Sequence, residues 1–498
     1  MPKQNSIYRD CIAALSGVLL ALAFAPYDYR YFSILSLALL FFCWQGITPG
    51  RATTRGFLFG LGLFGFGIAW VYVSIHDFGQ ADVIPASILT LLFISLWALF
   101  PALAGYITVR FFNTHSRSFQ LLTWPIVWIL IEYLRGNWIF NGFPWFQLAY
   151  SQLDSPFSGY IPILGVYGSG WLIAITAILL LHLTQKKYNN PLFPLGSVFV
   201  ILVAGWSLSQ IAWTHVTGKP FKVTLLQGNI AQDKKWKLEH RQEILQWYKK
   251  MSALHWDSKL IIWPESAVPA FYHRVLDDYL LPLENEAKNH GTDLVISIPY
   301  KNEKGEKYNT VMTFGETHGM YKKIHLLPFG EYLPFRPLFN LILGSLNIMP
   351  VGHFTAGKVD QPLLKAAQHP FLATICYEDA FGEEGRRGLP EAAYLVNVTN
   401  DGWFGETIEP YQHMQIARMR ALETGRYLLR STNNGFTGIV APNGKIIHQA
   451  PLFTATSLTG EITPMAGTTI FVRFGERPVI LVLVILLIVS VKTKSRFS

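Results

Sequence analysis

Hydrophobic positions fall into two regimes along the chain. Residues 1–213 carry long uncharged runs, 214–476 alternate short apolar stretches with polar ones, and a last apolar run covers 478–491. About 20 apolar residues are enough for a helix to span a bilayer. The runs 11–25, 31–47, 56–75, 83–109, 119–134, 163–184, 191–213 and 478–491 are therefore eight candidate spans. Backbone N–H and C=O groups must be satisfied within the segment in lipid, so each run is predicted helical. The first two and the last are short for a span, and the fifth carries Glu132 near its end.

From Lys222 the period changes. Apolar segments at 222–226, 260–263, 293–298, 308–314, 371–376, 393–398 and 436–441 read as strands. Helical stretches are expected at 238–256, 275–289 and 411–424. Strands alternating with helices predict a layered α/β domain. The expected organisation is a membrane domain with seven transmembrane helices at 1–213, a folded domain at 214–476, and a C-terminal transmembrane helix with a tail at 477–498.

Composition agrees. Of 498 residues, 51% are hydrophobic and only 15% charged, too apolar for an ordinary soluble protein. Charge then supplies the orientation. Alternate connections, beginning with the N-terminus and ending with the C-terminal tail, hold eleven Lys and Arg: Lys3, Arg9, Arg51, Arg55, Arg110, Arg117, Lys186, Lys187, Lys492, Lys494 and Arg496. The intervening ones hold two, Arg30 and Arg135. Basic residues stay on the cytoplasmic side, which puts both termini inside and 214–476 outside, in the periplasm of a bacterium with two membranes. The net charge of +9 is largely this bias and calls for no nucleic acid. A basic start, an apolar run and Ala23-Phe24-Ala25 imitate a cleavable signal, but Pro26 at the would-be cleavage site favours a retained first helix.

The outer region lacks a Gly-rich phosphate loop, Cys/His metal spacing and a Gly-x-Ser-x-Gly elbow. It does hold Cys376, the only cysteine beyond position 43, at the end of the run Phe371-Leu-Ala-Thr-Ile. An unpaired thiol in an oxidising compartment is a liability unless it works; the alternative is a buried structural cysteine. Two other strand ends carry charge. Trp263-Pro-Glu-Ser266 offers Glu265, and Tyr321-Lys-Lys-Ile-His-Leu-Leu-Pro-Phe-Gly-Glu331 offers Lys323 and Glu331. A free thiol is mostly protonated at neutral pH and needs a base or a cation beside it. Glu265 suits the base, and Lys323 suits stabilisation of a thiolate and of an oxyanion, with the Tyr377 N–H as a second oxyanion donor.

Trp-Pro-Glu-Ser, the eight-residue offset from Lys323 to Glu331 in a Leu-Pro-Phe-Gly-Glu context, and Cys-Tyr-Glu at 376–378 resemble the nitrilase superfamily. The eight-run frame, Gln227-Gly-Asn-Ile230 with Trp236, Asn400-Asp-Gly-Trp-Phe-Gly405 and Arg418-Met-Arg-Ala-Leu-Glu423 narrow the resemblance to the apolipoprotein N-acyltransferase family. That resemblance implies an αββα sandwich outside a polytopic helical domain in the bacterial inner membrane. It implies Glu265 as base, Lys323 as oxyanion stabiliser and Cys376 as nucleophile, with Glu331 and Glu378 as supporting acids. Trp236 and Tyr377 would lie near the substrate pocket. It further implies a phospholipid acyl donor such as phosphatidylethanolamine, a Cys thioester, and the α-amine of diacylglyceryl-cysteine lipoproteins as acceptor. The enzyme would act as a monomer, with no metal and no cofactor.

Two stretches keep two readings each. Asn141-Gly-Phe-Pro-Trp-Phe-Gln147, with Tyr150 to Gln152, suits an interfacial aromatic belt or a loop serving the outer domain. The apolar stretch Pro334 to Phe354 suits a lid dipping into lipid or a buried insertion. A tethered amidase would share the same three residues, and a transporter would place more ionisable residues within its spans.

Overall fold

A computed structural model describes residues 2–112, 117–185, 191–335, 337 and 353–496. They form two compact units. One comprises Met1–Tyr72, Asp82–Ile211 and Phe474–Ser498, the other Val73–Ala81 and Ala212–Arg473.

The first unit is helical. Every candidate span overlaps a helix: Pro2–Ala21, Phe32–Trp44, Pro49–Gly67, Val83–Phe112, Arg117–Asn137, Ile161–Thr184, Leu192–Ser209 and Arg477–Arg496. Among the described residues, Val83–Phe112, Pro156–Thr184 and Leu192–Ser209 are individually long and apolar enough to cross a membrane. The run 56–75 differs from expectation. Its helix ends at Gly67 and resumes at Val71 with a bend of 63°, and Val73–Ala81 packs with the other unit.

Small residues bring these helices together. A Cβ on Gly56 would fall 2.2 Å from the Pro101 carbonyl oxygen, and one on Gly17 would fall 2.0 Å from that of Phe59. Such approach is open only to glycine and replaces the hydrophobic drive that lipid removes. The aromatic stretch 143–152 is buried inside this unit instead of forming an exposed fringe. Arg135 donates to the Phe143 carbonyl at 2.8 Å and to that of Trp145, and Glu132 accepts from the Leu148 N–H at 3.1 Å. The carboxylate and guanidinium also face each other, 4.0 Å apart. Glu132, an oddity in an apolar run, thus serves to anchor a loop.

The second unit is built on two six-stranded sheets. The strands are β1 Thr214–Val216, β2 Phe221–Gln227, β3 Leu260–Ile262, β4 Asp293–Lys301, β5 Lys307–Phe314, β6 Gly319–Lys322, β7 Leu364–Ala366, β8 His369–Ile375, β9 Tyr394–Thr399, β10 Leu428–Thr432, β11 Gly438–Val440, β12 Ile446–Gln449, β13 Thr456–Ile462 and β14 Met465–Gly467. One sheet runs β13-β2-β3-β4-β5-β6 and the other β12-β11-β10-β9-β8-β7, while β1 and β14 pair apart. The central pairs β2/β3/β4 and β8/β9/β10 are parallel.

Period-two alternation fixes the layers. Val223 and Leu225 of β2, Leu260 and Ile262 of β3, Phe371, Ala373 and Ile375 of β8, and Val396 and Val398 of β9 share one core, which lies between the sheets. Their neighbours Leu226, Ile261 and Ile296 point outward onto Leu245 and Tyr248 of helix Leu238–Ala253 and Leu283 of Leu281–Asn289. On the other side Leu372, Leu395 and Leu428 pack on Met414, Ala417 and Ala421 of helix Glu409–Thr424. The result is the expected αββα sandwich. The Pro334–Phe354 stretch lies almost entirely outside the described residues.

Candidate active site

Three strand ends from the two facing sheets, those of β3, β6 and β8, carry the candidate side chains. β3 ends at Ile262, and Trp263-Pro264 turns the chain so that Glu265 follows. The turn is pinned on both sides. The Ser266 N–H donates to Ser297 Oγ at 2.9 Å, and Lys235 Nζ donates to the Glu265 carbonyl at 2.9 Å. β6 ends at Lys322, so Lys323 is the first residue past it, and its N–H donates to the Asn309 carbonyl at 2.9 Å. β8 ends at Ile375, and Cys376 opens a 3-10 turn with φ at +51°. That left-handed conformation is unfavourable for a side chain and recurs at Ser266 (+49°) and Phe329 (+63°). Strain of this kind, about 1–3 kcal/mol per residue, persists where the surroundings enforce it, commonly at functional sites.

Asn309 of β5 joins the acids. Its Nδ2 donates to Glu265 Oε1 at 2.7 Å and to Glu331 Oε1 at 2.9 Å. Glu331 Oε2 lies 2.7 Å from Lys323 Nζ and also accepts from the Leu327 N–H at 2.8 Å. Lys323 is 1% exposed. Its neighbour Lys322 turns away, with its ammonium 4.3 Å from the centroid of the Tyr308 ring. Glu378, fully buried, fastens the cysteine turn to the segment after Lys323. Its Oε1 accepts from Tyr321 Oη at 2.8 Å, Ile324 N at 2.7 Å and His325 N at 3.0 Å, and its Oε2 from Ile375 N at 2.7 Å.

The electrostatics follow from burial. Burial pushes the Cys376 thiol up to about 12, and the Glu265 charge adds to this while Lys323 and His413 pull it down. Burial likewise raises Glu265, with Lys323 opposing and Glu331 reinforcing. Burial works against a charge on Lys323, yet Glu331 and Glu265 outweigh it and hold the ammonium above its usual range. Burial lifts Glu378 to about 7 against the pull of Lys323. The resting site is thus a protonated thiol beside a fixed cation and a carboxylate inclined to take a proton. Such a set can deprotonate a thiol only as it attacks, and can stabilise an oxyanion.

Behind the cysteine lies a buried network whose pairings the sequence did not reveal. Asn397 Nδ2 donates to the Cys376 carbonyl at 3.3 Å, and Asn397 Oδ1 accepts from Arg430 Nη1 at 2.6 Å. Arg430 also holds Asp379 Oδ2 at 2.7 Å. His413 is placed between Asp379 Oδ1 at 2.9 Å and Asp401 Oδ1 at 3.0 Å. Both ring nitrogens face carboxylates, so both carry protons and the ring is an imidazolium. Asp401, Glu409 and His413 are near enough together to hold a metal ion, which would bind there only by displacing a ring proton. Asn309, Lys235, Asn397, His413 and Arg430 were not singled out from sequence, whereas Asp401 lies in the motif Asn400-Asp-Gly-Trp-Phe-Gly405. For Asn397 the signal was a polar residue interrupting an apolar pattern, Leu395-Val-Asn-Val398, and Lys235 in the polar run Gln232-Asp-Lys-Lys gave none.

The other expected residues are placed as follows. Trp236 is 48% exposed, directly after Lys235, and Tyr377 is buried with its ring edge-on to Phe381 at 5.1 Å. Gln227 ties down the loop before β13 through the carbonyls of Pro451 and Thr454, and the Arg418–Glu423 segment lies in the helix Glu409–Thr424. The aromatic Trp403 meets Phe78 at 5.8 Å, which seats the segment 73–81 on this unit.

Comparison with known proteins gives the lineage. Residues 16–179 match the family described as apolipoprotein N-acyltransferase N-terminal domain, and 222–470 match carbon-nitrogen hydrolase. A protein of Methylococcus capsulatus named apolipoprotein N-acyltransferase is 48% identical over 470 residues, covering 94% of this chain and 93% of its own. The chain belongs to the apolipoprotein N-acyltransferase family. A second member, from Nitrosomonas europaea, is 41% identical over 97% of both chains. Among solved structures, Saccharomyces cerevisiae Nit3 of the nitrilase superfamily aligns with a TM-score of 0.38 and 19% identity, covering 50% of this chain and 93% of its own. As a member of this family the chain is a membrane acyltransferase with a carbon-nitrogen hydrolase fold in its C-terminal half.

Proposed function

We propose that this chain transfers an acyl chain from a membrane phospholipid, through a thioester on Cys376, to the N-terminal α-amine of diacylglyceryl-cysteine lipoproteins. The observation that carries the reading is that Glu265 and Lys323, past the ends of β3 and β6, and Cys376, past the end of β8 in the facing sheet, act on one another's charge within a member of this family. In the first half-reaction Glu265 takes the Sγ proton as sulfur attacks the ester carbonyl. Lys323 and the Tyr377 N–H stabilise the oxyanion. As the tetrahedral intermediate collapses, Glu265 returns the proton to the leaving glycerol oxygen, releasing a lysophospholipid. In the second, the α-amine attacks the thioester, Glu265 takes its proton, and that proton returns to Cys376 as the amide forms.

The supporting roles follow. Glu331 keeps Lys323 charged and in place, Glu378 holds the cysteine turn, and Trp236 and Tyr377 border the substrate pocket. Phosphatidylethanolamine is the expected donor. Residues 1–213 form seven transmembrane helices, 214–476 the catalytic domain and 477–498 the last helix and tail, in an inner membrane with the catalytic domain in the periplasm. Both substrates are held in the bilayer, and a monomer contains every residue invoked.

The test supplies purified protein in phospholipid vesicles with labelled phosphatidylethanolamine and a diacylglyceryl-cysteine peptide. Label should appear on the peptide amine in wild type and not in Cys376→Ser. Release of free fatty acid with no labelled peptide would make the enzyme a hydrolase instead.

A further inference from the structure

Lys235 is 2% exposed and sits at the end of the short helix Gln232–Lys235 that follows β2. An ammonium has three N–H donors. Among the described residues Lys235 has one hydrogen-bond acceptor, the main-chain carbonyl of Glu265 at 2.9 Å, and no carboxylate within ion-pair distance. A buried cation with a single neutral partner costs stability. Apolar packing alone would be better served by a methionine of nearly the same shape. The residue it grips is the base of the reading above, and the two side chains feel each other's charge.

We propose that Lys235 is a positioning residue for Glu265: it fixes the turn that carries the carboxylate and, by its charge, keeps that carboxylate ionised when the thiol must be deprotonated. The inference rests on Glu265 acting as the base. The groups facing Glu265 explain why a second cation is needed. Glu331 brings a negative charge from the loop after β6, Lys323 is already engaged by Glu331, Asn309 donates from β5, and Cys376 is neutral at rest. Lys323 answers the charges of both Glu331 and Glu265, and Lys235 adds a second cation that makes the set two against two. Burial lowers the Lys235 ammonium to about 8, so its charge is present at neutral pH and is lost above that.

The sign of the test is fixed by this arrangement. Removing a cation raises the pKa of a neighbouring carboxylate. In Lys235→Met the ionised base is lost at a higher pH, so the acid limb of Cys376 acylation moves upward. The variant should also unfold at the same or a higher temperature than wild type, because a costly buried charge has gone. The readout is the nitrophenolate burst from a soluble p-nitrophenyl ester, followed from pH 5 to 9 on full-length protein in detergent, with thermal unfolding alongside. A slower burst with a shifted acid limb and undiminished stability supports the proposal. A slower burst with an unmoved limb and lower stability overturns it, as does failure of both Lys235→Met and Lys235→Gln to fold. The ester needs neither phospholipid nor lipoprotein. Wild-type protein that gives the burst but no lipid transfer would refute the functional reading while leaving the role of Lys235 measurable.

Discussion

Lys322 and Lys323 are adjacent in sequence and opposite in surroundings. Lys323 is buried against Glu331, whereas Lys322 rests its ammonium over the rings of Tyr300 and Tyr308. Lys323→Ala should reduce acylation of Cys376 by several hundred-fold, the effect of about 3–4 kcal/mol expected for a lost oxyanion donor. Lys322→Ala loses a surface cation–π contact of about 0.5–1 kcal/mol, felt in stability more than rate. Burst kinetics and unfolding curves for the two variants decide this, and the reverse pattern would reassign the lysine. The acids give a second test at this scale. Glu265 is raised chiefly by burial, with the Glu331 charge adding to it. A raised carboxylate loses its ionised form at a higher pH than usual, so activity should fall as pH drops through that elevated value. Glu331→Gln removes the reinforcing charge and should move the acid limb of the rate profile to lower pH, opposite in sign to Lys235→Met, while lowering the maximal rate. An acid limb that stays put would separate Glu331 from the base.

The element that matters most is the turn 376–380. It presents Cys376 at positive φ and is held from two sides, by Glu378 through four hydrogen bonds and by Asp379 through His413 and Arg430. Asp379→Asn should leave the buried imidazolium and guanidinium with one fewer of the two carboxylates they share, Asp401 remaining. The expected loss is about 3–5 kcal/mol, read by thermal or chemical unfolding. A loss below about 1 kcal/mol would show that the network does not hold the turn. This scale also shows what the sequence could reveal. Strands such as 222–226 and 293–298, packed on both faces, announced themselves as apolar runs and appear as β2 and β4. Glu265 and Cys376 were singled out because each follows such a strand, and Lys323 because it stands eight residues before Glu331 in a distinctive local motif. The edge strands β6, β7 and β12 are only three or four residues long, too short for a period to register. β10 was hidden because Arg430 interrupts it. Its charge is neutralised by Asp379, 51 positions earlier, and no local pattern reveals such a partner. Asn309 was missed for the same reason: its partners Glu265 and Glu331 are distant in sequence.

On the scale of the whole molecule, two compact units take up different stretches of one chain, and the segment 73–81 crosses between them in sequence. The helical unit accounts for the apolar half of the composition and the sandwich for the chemistry. Orientation was read from eleven basic residues against two. A reporter active only outside the cytoplasm should therefore be active when fused after Lys219 and silent after Lys187; the opposite result would invert the protein. The central claim is that Cys376 carries the acyl group between two lipids. The most direct measurement is intact mass followed by peptide mapping of full-length protein quenched after mixing with phosphatidylethanolamine vesicles. The account predicts one added acyl chain on the peptide containing Cys376, released by neutral hydroxylamine and lost when a diacylglyceryl-cysteine peptide is added. An unmodified Cys376 in protein that is transferring acyl chains, or an adduct that the peptide amine leaves in place, would contradict it.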